Sequence, residues 1–274
     1  MVMLRSIAFA VAFYFNTALF LVLGAPLLFA PRRWAMKGLE LHARASVWLL
    51  KAVCGTRLEV RGREHLPPGP CLVVAKHQSA WDTFALIPLL HDPAIVLKEE
   101  LKWIPLYGWF CVKFAHILVA RDRAAVALKA MVRDAKQRVD AGRHVLIFPE
   151  GTRRAAGALP DYKPGYVALY EELGVPCVPL ALNSGVFWPR RTLERQPGTI
   201  VVDFLEPIAP GLPRKEFRRL LEARLETACD RLLVEAAAGQ PRPVLGPDAE
   251  RRLHDLNFKQ TNKEHSVDTS HSPT

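Results

Sequence analysis

Cysteine is scarce and scattered in this 274-residue chain: five residues, Cys54, Cys71, Cys111, Cys177 and Cys229, with no close pair among them. An odd count without close spacing gives neither a disulfide framework nor a zinc knuckle, so a reducing compartment is the natural setting. His42, His65, His116 and His144 lack partners at ligand spacing, which argues against a bound metal. Internal repeats are absent. Acidic residues run short, at 27 Asp and Glu against 37 Lys and Arg, for a formal net charge of +10. That balance attracts an anionic partner, either nucleic acid or an anionic lipid surface. A nucleic-acid module would interleave its basic residues with exposed aromatics or carry a known motif, and neither appears.

Apolar residues are plentiful, at 50% of the chain, with a mean hydropathy of +0.07. The excess is concentrated at the N-terminus, where residues 6–30 form an uncharged run of 25 residues. About 20 apolar residues suffice to cross a bilayer, so the run reads as a membrane anchor. A cleaved signal peptide has an apolar core of about 7–15 residues, shorter than this one. Arg32, Arg33 and Lys37 follow the run and only Arg5 precedes it. The positive-inside rule then leaves the body of the protein on the cytoplasmic side, at the inner membrane in a bacterium. Residues 34–54 read as an amphipathic helix, with Leu41, Ala45, Trp48 and Ala52 on one face and Lys37, Glu40, Arg44 and Lys51 on another. That helix fits either the headgroup region or packing on the catalytic core. The first run would then be a full span, or half of a two-helix element sunk in one leaflet.

From Thr56 onward, short apolar runs bounded by Gly, Pro or charge alternate with helical patterns. Strands are expected at 57–60, 71–75, 94–98, 116–120, 144–148, 177–183 and 199–204. Helices are expected at 81–90, 103–114, 123–141, 166–173 and 214–238. This alternation predicts an α/β fold, a mixed and largely parallel sheet flanked by helices. The expected organisation is an anchoring helical segment at 1–54, a catalytic domain at 55–240 and a polar, disordered tail at 241–274.

Two segments carry candidate chemistry. The expected strand at 71–75 runs into Lys76-His77-Gln78-Ser79-Ala80-Trp81-Asp82. Sites in open α/β sheets form at strand carboxyl ends. There, a carboxylate five residues from a histidine can fix its tautomer and raise its basicity. The spacing alone fits equally an Asp capping a helix beside a surface His. The strand at 144–148 runs into Phe148-Pro149-Glu150-Gly151-Thr152-Arg153. Gly permits a tight turn that exposes N–H groups, and Arg can grip a phosphate bidentately. A solvated turn with a Glu–Arg pair is the plain alternative.

Together, the His-x-x-x-x-Asp frame of His77 and Asp82 and the downstream Phe-Pro-Glu-Gly-Thr-Arg resemble the glycerolipid acyltransferase family. Lys98 to Gly108, followed by Arg121-Asp122, resembles that family's second block, and Val175 to Gly185 its fourth. The likeness spans about Leu58 to Glu206. One departure is Lys76, where many members have Asn. The resemblance implies a transferase that moves an acyl chain from acyl-CoA or acyl-carrier protein to the sn-2 hydroxyl of lysophosphatidic acid, in contact with membrane lipids and without a cofactor. It implies His77 as general base, oriented by Asp82, and Arg153, Lys98 and Arg121 as holders of the acceptor's phosphate. Glu150 and Gly151 would shape the loop beneath that phosphate. No acyl-enzyme is needed, which agrees with the lack of a Gly-x-Ser-x-Gly elbow. Ser79 fits a helix cap better than a nucleophile. Other readings keep a different acceptor, such as another lysophospholipid or an aminolipid, or a membrane-bound hydrolase that activates water.

Overall fold

Short strands that are apolar on both sides need cover on both faces, and helices supply it. The chain, described over residues 1–120 and 124–268 by a computed structural model, is built this way. Among the described residues the strands are β1 (Thr56–Arg61), β2 (Leu72–Ala75), β3 (Ala94–Lys98), β4 (Ile117–Val119), β5 (Val145–Ile147), β6 (Cys177–Leu182) and β7 (Gly198–Phe204). They form one seven-stranded sheet in the order β1-β7-β6-β2-β5-β3-β4. All neighbours pair in parallel except β6 with β7, which are antiparallel. The central strands β2, β5 and β6 are buried along their whole length.

Alternation along each strand divides the core in two. Val73, Ala75 and Leu146 join α1 (Val2–Leu23), α2 (Arg32–Cys54), α3 (Asp82–Ala85) and α4 (Tyr107–Lys113) on one face. Leu72, Val74, Val145 and Ile147 join α5 (Ala124–Asp140), α6 (Gly165–Leu173) and α8 (Arg214–Ala238) on the other. Because β2, β5, β3 and β4 are parallel to one another and to β6, their carboxyl ends share one edge of the sheet. That edge receives the segments bearing His77, Glu150, Lys98 and the Asn183-Ser184-Gly185 turn.

Two expected helices are broken by proline. Over 81–90, α3 stops at Ala85 and Ile87–Leu89 forms a 3-10 turn; Pro88 has no N–H to continue an α-helix. Over 103–114, Pro105 disfavours helical backbone at Ile104. Glu99–Trp103 is instead a 3-10 turn, Leu106 adopts a φ of 61° and α4 starts only at Tyr107. The tail at 241–274 also differs from expectation. Pro247–Asp268 forms α9, which opens on Pro247 with Asp248 and Glu250 in its first turn, a favourable helix start. Ala249 is buried, and Arg252 forks onto Asp230 of α8 at 2.7 and 2.6 Å.

α1 is long and apolar enough to cross a membrane. Yet a stripe at helical spacing fastens it to the body along its length. The Ser6 hydroxyl accepts the Arg195 N–H at 2.8 Å, and Phe9 packs edge-on against Trp188 at 5.2 Å. Asn16 donates to Ser46 at 2.9 Å, and Phe20 meets Phe110 at 5.1 Å. Its other faces expose Val11, Tyr14, Phe15, Val22 and Leu23. On α2 the buried stripe is Ala35, Met36, Leu39, Ala43, Ser46, Leu50 and Cys54. Leu41 and Trp48, on the other apolar face, are exposed beside Trp34 and Phe29. The expected packing of α2 on the body is thus met by its buried stripe, while the face with Leu41 and Trp48 stays exposed.

Candidate active site

The candidate base and its carboxylate meet where β2 gives way to α3. His77 Nδ1 lies 3.1 Å from Asp82 Oδ2. The same oxygen accepts the backbone N–H groups of Gln78 and Ser79, each at 2.8 Å. Asp82 Oδ1 accepts the Ser184 hydroxyl at 2.5 Å. Asp82 is fully buried. A buried carboxylate is tolerated only when paired and hydrogen-bonded, and four donors meet that need here. They also fix its orientation toward the imidazole. With Nδ1 turned to Asp82, Nε2 is the nitrogen left to face a substrate. The imidazole stacks on Phe148, centroids 4.2 Å apart, so its plane is set by an aromatic neighbour as well. Ser79 serves the turn: its hydroxyl accepts the Trp81 N–H at 3.2 Å.

A second layer holds the turn from beneath. Glu150 points inward, 1% exposed, and its Oε2 accepts the His77 backbone N–H at 3.1 Å. Its Oε1 pairs with Lys76 Nζ at 2.6 Å. Lys76 is equally buried and also reaches Glu226 of α8 at 2.9 Å, whose carboxylate takes the Tyr162 hydroxyl as well. Burial alone would lower the Lys76 pKa, but Glu150 and Glu226 outweigh it and keep the ammonium charged. Gly151 adopts a φ of 62°, in the left-handed region that suits glycine, and so turns the chain between Glu150 and Arg153. The Arg154 N–H donates to the His77 carbonyl at 2.7 Å, which ties this turn to the first. Just after β6, the Gly185 N–H donates to Gln78 Oε1 at 3.0 Å. The fit is tight, since a Cβ on Gly185 would lie 2.8 Å from Gln78 Cβ.

The expected phosphate holders are distributed along the same edge. Arg153 is exposed, and its carbonyl accepts Arg190 Nη1 at 2.6 Å. Lys98 ends β3, exposed, where the register pairs it with Val119 of β4. It stands two strands from β2, or about 10 Å by the usual strand spacing. Arg121 lies outside the described residues. Glu150 does not face the same space, because its carboxylate is taken up by Lys76 and the His77 N–H. Among the described residues, no group of three or more His, Cys, Asp or Glu is arranged to hold a metal ion.

The Acyltransferase family matches residues 57–183, which hold both turns. A 1-acyl-sn-glycerol-3-phosphate acyltransferase of Pseudomonas aeruginosa is 37% identical over 193 residues, 70% of this chain and 74% of that one. The chain belongs to this acyltransferase family. The mouse 1-acyl-sn-glycerol-3-phosphate acyltransferase alpha is 31% identical over 205 residues, covering 73% of this chain and 72% of its own. The crystal structure of the 1-acyl-sn-glycerophosphate (LPA) acyltransferase PlsC from Thermotoga maritima has the same fold, with a TM-score of 0.72 over 85% of this chain and 98% of that one, at 24% identity.

Within this acyltransferase, Ser184, Gln78, Glu226 and Tyr162 were not foreseen as parts of the site. Ser184 and Gly185 fall in the fourth block, so a signal was present without a role attached. Glu226 lies 150 residues from Lys76 in a helix of ordinary charged composition, and nothing local marks it.

Proposed function

We propose that this acyltransferase esterifies the sn-2 hydroxyl of lysophosphatidic acid with an acyl chain from acyl-CoA or acyl-carrier protein, giving phosphatidic acid. The observation that carries the chemistry is the His77–Asp82 pair, with the Asp82 carboxylate held by three further donors. His77 Nε2 takes the hydroxyl proton as the oxygen attacks the thioester carbonyl. The C–S bond then breaks, and the departing thiolate takes the proton back from the imidazolium. Asp82 stabilises that cation and keeps Nε2 directed at the substrate. Arg153, Lys98 and Arg121 hold the acceptor's phosphate, whose oxygens suit a guanidinium fork with added cations.

The lipid acceptor is met at the membrane surface. Docking of α1 along the body favours α1 and α2 lying together in one leaflet over a full span, because a crossing helix would carry its polar neighbours into hydrocarbon. Exposed Trp34, Trp48, Trp103 and Trp109 suit the interface, where tryptophan concentrates. We place the body on the cytoplasmic side from the cations that follow α1.

The test is an assay of the purified full chain with lysophosphatidate, lysophosphatidylcholine and lysophosphatidylethanolamine, each with palmitoyl-CoA and palmitoyl-acyl-carrier protein. Phosphatidate should form from lysophosphatidate far faster than any other product. Preferential acylation of a zwitterionic lysolipid would reject the acceptor assignment.

A further inference from the structure

A cavity of about 500 Å³ opens beside the catalytic turns, lined by Arg154, Arg190, Arg251 and Arg252 with Asp248 and Asp255. Its rim is bonded to the site: the Arg154 N–H donates to the His77 carbonyl, and Arg190 to the Arg153 carbonyl. Arg190 is partly buried among like charges. Burial, then Arg191, Arg153 and Arg154, lower its pKa, with Asp248 opposing. Arg251 pairs with Asp248 and Arg252 with Asp230, each at 2.6 Å, whereas Arg154 comes only within 4.0 Å of Asp161; a bound polyanion would relieve the repulsion between Arg190 and Arg154.

Strand order sets Arg190 apart from Lys98, while Arg154, beside Arg153 in the turn after β5, stands between them. Arg190 follows α7 (Ser184–Phe187) at the end of β6, on one side of β2. Lys98 ends β3, on the other side. A base between two substrates needs one on each flank. If the acceptor's phosphate lies between Arg153 and Lys98, the β6 side is left for the donor. An acyl-CoA carries a pyrophosphate and a ribose phosphate, set back from its thioester by a long flexible arm. Several arginines around a concave site suit such a group better than the flat array of a lipid surface.

We propose that the Arg154–Arg190–Arg251 cavity binds the phosphates of coenzyme A, making Arg190 and Arg154 donor-binding residues. This rests on the reading of His77 as the base between a donor and a phosphate-bearing acceptor. The test titrates full-length protein calorimetrically with coenzyme A and measures kinetics with palmitoyl-CoA and lysophosphatidate. Wild type is compared with Arg190→Ala, Arg154→Ala/Arg190→Ala and Arg190→Lys. The double variant should weaken coenzyme A binding and raise KM for palmitoyl-CoA by roughly 10–100-fold, as expected for lost charged hydrogen bonds. KM for lysophosphatidate should rise far less, since Arg190 touches only the carbonyl of Arg153, and Arg190→Lys should recover part of the loss. Unchanged coenzyme A affinity in the double variant would overturn the proposal. So would a rise in KM for lysophosphatidate alone, or weaker binding to phosphatidylglycerol vesicles with coenzyme A binding intact. Coenzyme A binding is read without turnover. A wild type that binds it through Arg190 yet makes no phosphatidate would therefore defeat only the acceptor reading.

Discussion

Two buried ionic clusters sit at opposite ends of the same strands, and they do different work. At the amino ends of β3, β4 and β5, Arg143 donates to the carbonyls of Asp92, Pro93, Phe114 and Ala115 at 2.9–3.2 Å. The Asp92 carboxylate lies 3.4 Å from Arg143 Nε and is gripped by Arg32 at 2.6 Å. Burial holds Arg143 down to about 10 and His116, beside it, to about 3, so the imidazole is neutral and its Nδ1 accepts the Ile95 N–H. The four Arg143 bonds there all end on backbone that feeds β3 or β4. At the carboxyl ends, Lys76 spends its charge on Glu150 and Glu226, and Glu150 passes the constraint to the His77 backbone. Burial of charge therefore says little about role. The atom at the end of the chain of bonds decides it, a carbonyl in one cluster and the backbone of the candidate base in the other.

Variants can break or sharpen that contrast. The largest effect belongs to His77→Ala, which removes general-base catalysis and should lower kcat by about 10²–10⁴-fold. Its thermal midpoint should stay near that of wild type; a loss under about tenfold would remove His77 from the role of base. Arg143→Met should do the opposite. Leaving four carbonyls without their donor and Asp92 to Arg32 alone costs about 3–5 kcal/mol in urea unfolding, with kcat per folded molecule retained. A fall in kcat without a loss of stability would erase the distinction between the clusters. Ser184→Ala removes one of the Asp82 donors. A hydrogen bond to a charged group is worth about 1.5–3 kcal/mol, so kcat should fall by roughly 10–150-fold with KM unchanged. Lys76→Asn should act more weakly, by about tenfold at most in kcat, because Glu150 keeps the His77 N–H after losing its cation. An unchanged kcat together with a large stability loss would put Lys76 in the same class as Arg143.

The strands were legible because central parallel strands are continuous apolar runs, as in Leu72–Ala75 and Val145–Ile147. His77 and Asp82 were legible because five residues across one turn suffice to bring them together. Their supports were not. Ser184 reaches Asp82 from 102 residues away and Glu226 reaches Lys76 from 150. Such contacts follow from strand order and helix docking, which local pattern does not encode. α9 escaped notice because its charged sequence resembles a solvated tail, while its hold on the body comes from Ala249 and from Arg252 on Asp230. Pro88 and Pro105 were visible in the sequence and, weighed fully, mark the helix breaks.

The central claim is direct transfer, in which the acyl group passes from thioester to lipid hydroxyl with His77 as the base. Rapid mixing of the full chain with radiolabelled palmitoyl-CoA, first without and then with lysophosphatidate, tests it most directly. The account predicts no protein-bound label and negligible free coenzyme A until the acceptor is added, then coenzyme A and phosphatidate released in equal amounts. A burst of coenzyme A stoichiometric with enzyme before acceptor is added, or equally fast release of free palmitate, would contradict it.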